Sequence, residues 1–273
     1  MSSGQGSTTR GLWGAHQQRR SRLDLSGKVA FVTGGSGDIG GAIARALANA
    51  GADVAIAYVG HTDGAKSMVS EIEALGRRSL AVQLDQRDAA SVERSTEAVA
   101  KAFGRVDMLV NNAAWNIGIP FPDLEALTGD VWDRVLETNL RGPYLLARAF
   151  APHLRAHGAG RIVNIASVAG LFPGGSSVAY ACSKAGLIHL THCLAVALAP
   201  EISVNCVAPG LVEGTRMAKR LPENVAAAAR RQTVLNRTAS AEDVADQVVT
   251  FCRADSVTGQ VLVVDGGMPG AMR

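Results

Sequence analysis

The stretch Val29–Gly40, which reads VAFVTGGSGDIG, decides the fold class of this chain. Val29–Thr33 is an apolar, β-branched run of the kind found in buried strands. A glycine-rich turn follows at once, and a segment with helical periodicity begins at Ile39. Glycines here let the backbone turn sharply and leave a helix N-terminus open to an anion. An ordinary β–α turn is the alternative, but the place of the loop between the first strand and the first helix favours phosphate binding.

The same alternation of strand and helix continues outward to Val264. Strand runs that are apolar on both faces indicate a sheet covered by helices on both sides. We therefore predict an α/β fold: a doubly wound parallel sheet of Rossmann type, in a single domain with seven strands. The expected strands are Val29–Thr33, Asp53–Val59, Ser79–Gln83, Met108–Asn111, Arg161–Ile165, Ser203–Ala208 and Gln260–Val264. The expected helices are Ile39–Ala50, Gly64–Leu75, Ala89–Phe103, Gly129–Ala156, Val178–Ala199, Ala241–Arg253 and a shorter one near Glu223–Arg231.

Composition and charge limit the partners of the chain. It has 273 residues, of which 47% are hydrophobic and 19% charged, as expected for a packed globular protein. Residues 1–22 contain four arginines and no acid, and we expect a disordered basic tail there and the folded domain in 23–273. Outside the tail, 23 basic residues face 24 acidic ones, so the domain lacks the positive excess that nucleic-acid binding needs. No apolar run is long enough to span a bilayer, so no membrane partner is expected.

Cysteine and histidine spacing indicates neither disulfides nor a metal site. The four cysteines form no C-x-x-C pair, and no apolar signal segment opens the chain, so reduced thiols in the cytoplasm are expected. Two histidine pairs have helical spacing, but no acid joins either of them in a metalloprotease-like motif. We therefore expect no metal. The pairs are His153 with His157 and His189 with His192.

A second motif carries candidate chemistry. Tyr180 and Lys184, in YACSK, are four residues apart on a predicted helix, so their side chains share a face. A nearby ammonium favours the phenolate and lowers the pKa of a tyrosine, which suits general acid–base catalysis. Thirteen residues upstream, Ser167 ends a strand, at the edge where such sheets bind ligands. A Tyr/Lys pair alone is common on solvated helices, whereas the combination with Ser167 and the glycine loop indicates an active site.

Together these motifs resemble the short-chain dehydrogenase/reductase family, and most closely its 3-oxoacyl-acyl-carrier-protein reductases, over Leu25–Met268. The resemblance implies an enzyme: an NAD(P)-dependent oxidoreductase that transfers a hydride between nicotinamide and the carbonyl or secondary alcohol of a small molecule. Four catalytic residues follow by position. Ser167 would hold the carbonyl oxygen, and Tyr180 would donate the proton. Lys184 would bind the nicotinamide ribose and lower the pKa of Tyr180, while Asn139 would hold a water in the proton relay.

The resemblance also implies the cofactor and substrate contacts. Asp38 replaces the middle glycine of the family's T-G-x-x-x-G-x-G loop, and it would point away from the diphosphate or cap the helix. Tyr58 stands where NAD-dependent relatives carry Asp, which favours NADP(H) over NAD(H), although neither Gly37 nor 58–62 offers an Arg or Lys. Substrate would contact Ser167, Tyr180 and Trp115. The cofactor would contact Gly34, Ser36, Gly37, Asp38, Ile39, Gly40, Tyr58, Asp85, Gln86, Asn112, Ala113, Ala114, Tyr180, Lys184, Pro209, Gly210, Val212 and Thr215.

Two further expectations concern the rest of the chain. The segment Leu211–Leu235, called the lid below, would cover the substrate, and the two long helices Gly129–Ala156 and Val178–Ala199 would pack a homotetramer, as the resemblance implies. A non-catalytic NAD(P)-binding sensor or scaffold on the same fold is the alternative function, although such proteins usually lose the Tyr or the Lys, and this chain keeps both. Substrate identity stays open, because reductases of many ketones share these residues.

Overall fold

The computed structural model of the protein describes residues 24–271. Its seven parallel strands form one sheet in the order β3-β2-β1-β4-β5-β6-β7, which confirms the predicted doubly wound fold. The chain builds one half of the sheet outward from β1, returns to the centre, and builds the other half outward from β4. The strands are β1 (Val29–Thr33), β2 (Asp53–Tyr58), β3 (Ser79–Gln83), β4 (Met108–Asn111), β5 (Gly160–Ile165), β6 (Ile202–Pro209) and β7 (Val261–Val264).

Helices cover both faces of the sheet. They are α1 (Asp38–Asn49), α2 (Thr62–Ala74), α3 (Ala89–Phe103), α4 (Gly129–Leu136), α5 (Gly142–Arg155), α6 (Val178–Ala197), α7 (Glu223–Gln232) and α8 (Ala241–Arg253). Successive residues of β1 point to opposite sides, as the period of a strand requires. Val32 packs in the cluster under α1 and α8, while Phe31 stacks on Phe150 of α5 with ring centroids 4.8 Å apart. Truncating either phenylalanine to Ala would cost about 3–5 kcal/mol.

One helix that was predicted to be continuous is interrupted. The segment expected as a single helix over Gly129–Ala156 contains a π-helical turn at Glu137–Arg141, between α4 and α5. There the N–H of Gly142 donates to the carbonyl of Glu137, five residues back. Pro143 follows, and without an N–H it cannot make the α-helical bond to the carbonyl of Asn139. The pair Gly142-Pro143 is therefore the sequence signal for the wide turn.

The remaining helices and strands begin and end within two residues of their predicted bounds. No helix in residues 24–271 has the length and apolar character needed to cross a membrane. In that same range, no group of three or more His, Cys, Asp or Glu side chains is arranged to hold a metal ion. The predicted basic tail at 1–22 lies outside the described residues.

Candidate active site

The N-terminus of α6 fixes the position of the predicted catalytic tyrosine. Ser177 is fully buried, and its Oγ accepts a hydrogen bond of 3.2 Å from the backbone N–H of Tyr180. Serine is a favoured N-cap residue because its side chain satisfies an N–H that the helix leaves unpaired. Tyr180 therefore lies in the first turn of α6, with Lys184 one turn later, and both side chains are buried. Sequence reasoning missed Ser177, although a Ser three residues before the tyrosine matches the capping preference.

The structure brings Ser167, Tyr180 and Lys184 together at the carboxyl end of β5. The Ser167 hydroxyl hydrogen-bonds to the side chain of Tyr180, and its oxygen also accepts the N–H of Ala169 at 3.2 Å. Lys184 Nζ lies 5.6 Å from the centroid of the Tyr180 ring. The ammonium donates a 2.8 Å hydrogen bond to the carbonyl of Ile165, the last residue of β5. One buried cation and two hydroxyls thus meet beside the sheet edge.

Burial controls the protonation of this cluster. It raises the pKa of Tyr180, and the hydrogen bond with Ser167 only partly opposes that effect. It also lowers the pKa of Lys184 to about 8. The sequence predicted that Lys184 lowers the pKa of Tyr180, and in this structure that prediction is wrong. Its ammonium is bound to the Ile165 carbonyl, and the desolvation of a buried phenolate dominates instead.

Asn139 ties the catalytic helix to the loop after β4. Its Oδ1 accepts the N–H of Trp115 at 2.8 Å, and its Nδ2 donates to the carbonyl of Trp115 at 2.9 Å. The same Nδ2 donates to Ser183 Oγ at 3.1 Å, and Ser183 donates to the carbonyl of Tyr180 at 2.7 Å. Both donors and the oxygen of the Asn139 amide are therefore engaged, by the backbone of Trp115 and the hydroxyl of Ser183. The predicted part of Asn139 in a proton relay through a bound water stays a prediction.

Trp115 also has a partner that the sequence did not reveal. The guanidinium of Arg134, on α4, lies 4.2 Å from the centroid of the Trp115 ring, within the range of a cation–π contact. Arg134 is exposed and Trp115 is partly buried, so the pair lies at the rim of the site. No motif in the sequence connects two residues in different elements in this way.

The loop between β1 and α1 fits a diphosphate. Gly37 is the N-cap of α1 and provides no side chain to cap it, so the first N–H groups of the helix are left for another acceptor. A side chain at Gly40 would overlap the carbonyl oxygen of Gly34, so glycine is required there. Hydrogen bonds between Asn112 and Thr33 hold the start of the loop in place. Asn112 Nδ2 donates to the carbonyl of Thr33 at 2.9 Å, and Thr33 Oγ1 accepts the N–H of Asn112 at 3.0 Å.

Asp38 does not cap α1, because it is the first residue of the helix and Gly37 is the cap. Its carboxylate contacts the lid instead. Its Oδ2 accepts a 2.8 Å hydrogen bond from the backbone N–H of Arg216 in the lid. The Nε of Arg216 lies 3.5 Å from the same oxygen. The residue that departs from the family pattern therefore joins the glycine loop to the lid.

Other predicted cofactor residues have partners within the protein. Arg87 holds the Asp85 carboxylate through Nε at 3.0 Å and Nη2 at 2.7 Å, which lowers the pKa of Asp85. Gln86 is buried, and its Nε2 donates to the carbonyls of Ala113 and Thr138 at 3.2 and 2.6 Å. Backbone groups near these positions remain candidates for adenosine contacts, which stay predictions.

The loop after β6 and the end of β2 complete the predicted cofactor side. Thr215 is buried, donates to the carbonyl of Val212 at 2.8 Å and accepts the N–H of Ala218 at 3.2 Å, so its hydroxyl shapes the lid itself. Gly210 follows β6 directly, and a side chain there would meet Asp265. Tyr58 ends β2 and packs partly buried against the apolar cluster under α1.

Comparison with known proteins agrees with this architecture. The sequence profile of the short chain dehydrogenase family matches residues 28–226. A 3-oxoacyl-acyl-carrier-protein reductase from Thermotoga maritima is 36% identical over 251 residues, which is 90% of this chain and 99% of that protein. Cis-4-hydroxycyclohexanecarboxylate dehydrogenase from Sinomonas cyclohexanicum is 37% identical over 244 residues, 88% of this chain and 96% of that one.

A solved structure shares both the fold and the sequence. It is a short chain dehydrogenase from Burkholderia cenocepacia J2315 in complex with NADP, 40% identical, with a TM-score of 0.82. The match covers 89% of this chain and 98% of the other. The chain belongs to the short chain dehydrogenase family and is an NAD(P)-dependent oxidoreductase of that family.

Proposed function

We propose that the protein reduces the ketone of a small molecule with NADPH and oxidises the corresponding secondary alcohol in the reverse direction. The observations that carry this proposal are the cluster of partly buried Ser167 with buried Tyr180 and Lys184, and the glycine-rich N-terminus of α1, which no side chain caps. A bound nicotinamide would supply or accept the hydride, as cofactors generally carry the difficult chemistry. The protein would position the substrate oxygen and move the proton.

The protein's own residues divide these tasks. The hydroxyls of Ser167 and Tyr180 are within hydrogen-bonding reach of each other, so one substrate oxygen could contact both. The phenol of Tyr180 is protonated at neutral pH, and burial raises its pKa further, so it is the acid form that would meet a carbonyl oxygen. Ser167 would orient that oxygen. Lys184 would bind the nicotinamide ribose, which is the part of its predicted role that the raised pKa of Tyr180 leaves open.

Substitution of Tyr180 by Phe tests the assignment. We expect kcat to fall at least about a hundredfold, since general acid catalysis typically contributes that much or more. NADPH binding, measured by the fluorescence of reduced nicotinamide, should survive. Tyr144→Phe makes the same chemical change on the exposed side chain of α5 and should leave kcat unchanged. Wild-type turnover in Tyr180→Phe would refute the assignment.

We propose NADP(H) as the preferred cofactor. Tyr58 ends β2 without a carboxylate that would repel a 2′-phosphate, and the 40% identical relative was crystallised with NADP. The expected result is a higher kcat/KM with NADPH than with NADH on a panel of ketones, followed by the absorbance of reduced nicotinamide. A preference for NADH would contradict it.

The same panel distinguishes the alternative function. A sensor or scaffold would bind NADPH with no oxidation or reduction of any carbonyl or alcohol. The assembled Ser167, Tyr180 and Lys184 favour the enzyme, because binding alone needs no buried proton donor.

We further propose that the protein forms a homotetramer and that it is located in the cytoplasm. Between α4, α5 and α6 runs a groove of about 790 Å³, lined by Leu136, Leu140, Tyr144, Leu190 and Cys193 among others. Asp133, Glu137 and Arg141 also line the groove, but most of its exposed surface is apolar, and such a surface along two long helices supports packing against a second copy. The cysteines, all of which lie in the described residues, are free thiols, which supports a reducing compartment.

A further inference from the structure

Arg216 of the lid contacts the glycine loop. Its backbone N–H donates to Asp38 Oδ2 at 2.8 Å, and its guanidinium Nε lies 3.5 Å from that oxygen. Asp38 and Arg216 are 178 residues apart in sequence, so this contact is a tertiary one. It sets the position of the Arg216 backbone relative to the first turn of α1.

The guanidinium lies over the part of the loop that has no side chain. A Cβ built on Gly37 would be 3.6 Å from Arg216 Nη2. Gly37 is the N-cap of α1, and no side chain caps that helix. The side chain of Arg216 is 67% exposed, so its donors face solvent beside the helix N-terminus.

The charges of the glycine loop show why the position of Arg216 matters for binding an anion. The loop 34–41 contains no Lys or Arg, and its only ionisable side chain is the Asp38 carboxylate, which by itself repels phosphate. Arg216 both neutralises that carboxylate and provides a fork of N–H donors suited to phosphate oxygens. The cation that the loop sequence lacks is thus supplied from the lid.

We propose that Arg216 binds the phosphates of the nicotinamide dinucleotide, and that Asp38 is the residue that positions it. Lid placement and cofactor binding are coupled through this pair. The inference rests on the proposed cofactor site, and it adds a ligand that the glycine loop alone does not contain. Both the diphosphate and the 2′-phosphate offer the same oxygen acceptors, so NADH and NADPH are compared in the test.

The first experiment measures dissociation constants of NADPH and NADH for the full chain by nicotinamide fluorescence at low salt. Arg216→Gln should weaken NADPH binding roughly tenfold, the effect of losing one charge-assisted contact. An equal loss with NADH identifies the diphosphate as the ligand, and a loss confined to NADPH identifies the 2′-phosphate. Lys219→Gln removes another exposed cation from the lid and should change either constant less than about twofold.

The second experiment separates positioning from charge. Asp38→Asn keeps an oxygen that can accept the Arg216 N–H but removes the carboxylate charge, whereas Asp38→Ala removes both. If Asp38 positions Arg216, Asp38→Asn should bind NADPH at least as tightly as the wild type, and Asp38→Ala should bind it several-fold more weakly. Loss in both variants, or in neither, would overturn the positioning role.

Failure of this inference is distinguishable from failure of the proposed function. Wild-type affinity for both cofactors in Arg216→Gln overturns the inference, while turnover by the same variant leaves the proposed function intact. A wild-type protein that binds neither cofactor overturns both. Arg216 is largely exposed, so unfolding is not expected, and an unchanged circular dichroism melt of the variant verifies that.

Discussion

At the scale of single residues, Lys184 shows that a residue of the candidate site can lower the stability of the folded protein. Its side chain is 3% exposed, and its ammonium has one hydrogen bond of 2.8 Å, to the carbonyl of Ile165. Desolvation lowers its pKa from 10.5 to about 8, so the folded protein carries a penalty whenever this lysine is charged. A shift of that size corresponds to about 3 kcal/mol. The charged lysine therefore lowers the stability of the folded protein while it provides the cation of the proposed active site.

The pH dependence of the variant Lys184→Met tests this account. Below pH 8 the lysine is charged in both the folded and unfolded states, and the penalty is complete. Between about pH 8 and 10.5 the folded protein has lost the proton and the unfolded chain still holds it, so the wild type gains stability as the pH rises. The stability of Lys184→Met relative to the wild type should therefore fall by about 3 kcal/mol from pH 7 to 10.5.

Urea unfolding at several pH values measures that difference. Burial raises the pKa of Cys206 to about 11, so in the folded protein this thiol titrates above the range in which the lysine loses its proton, and burial also raises the pKa of Tyr180. A relative stability that does not change with pH would contradict a lowered pKa for Lys184.

Single residues also show where sequence reasoning stops. Tyr180 and Lys184 could be found because the spacing within one helix fixes their distance. Asp38 could be recognised as a departure from a pattern, yet its partner Arg216 could not, because 178 residues separate them and only the folded chain brings them together. The protonation of Tyr180 was mispredicted for a related reason: burial and the direction of the Lys184 ammonium are tertiary properties.

At the scale of elements, the beginning of α6 is a structural support of the site. Ser177 caps the helix through the N–H of Tyr180 itself. Ser177→Ala should cost about 1–2 kcal/mol, as the loss of a serine cap does, and should also lower kcat because the backbone of the proton donor loses its anchor.

The N-terminus of α8 provides the matched control. Ser240 caps that helix in a capping box with Asp243, on an exposed part of the protein. Ser240→Ala should lower the melting temperature through the same loss, with kcat unchanged. Equal effects of the two variants on kcat would show that the cap of α6 has no specific role in catalysis.

Elements were the most predictable part of the molecule. Strands and helices follow from hydrophobic period and glycine turns, which are local signals. The π turn between α4 and α5 was missed because apolar periodicity alone does not reveal one extra residue in a turn.

At the scale of the whole molecule, the groove along α5 and α6 makes the quaternary prediction testable. Tyr144 lines the groove with 45% of its surface exposed. If a second copy covers it, Tyr144→Asp should bury a charge in the interface and reduce the assembly from four chains to fewer. Sedimentation velocity measures the mass.

Leu124 is a suitable control for that experiment. It is 65% exposed, and it does not line the groove. Leu124→Asp should leave the assembly intact. A wild-type protein that sediments as a monomer, or a Tyr144→Asp variant that remains tetrameric, would contradict the proposed assembly.

The turn at Glu137–Arg141 has a consequence for how sequence length can vary in this chain. In a regular helix each residue is rotated by about 100° from the one before it. One additional residue would therefore rotate all later side chains of the helix to a different face. A turn closed over five residues accommodates that residue locally, and α5 still presents Leu146 and Phe150 to the sheet. Elsewhere in α4 or α5 no wide turn accommodates an inserted or deleted residue, so such a change would rotate the rest of the helix. Deleting one residue inside the turn would bring α4 and α5 into one helical register, still without the hydrogen bond that Pro143 cannot make.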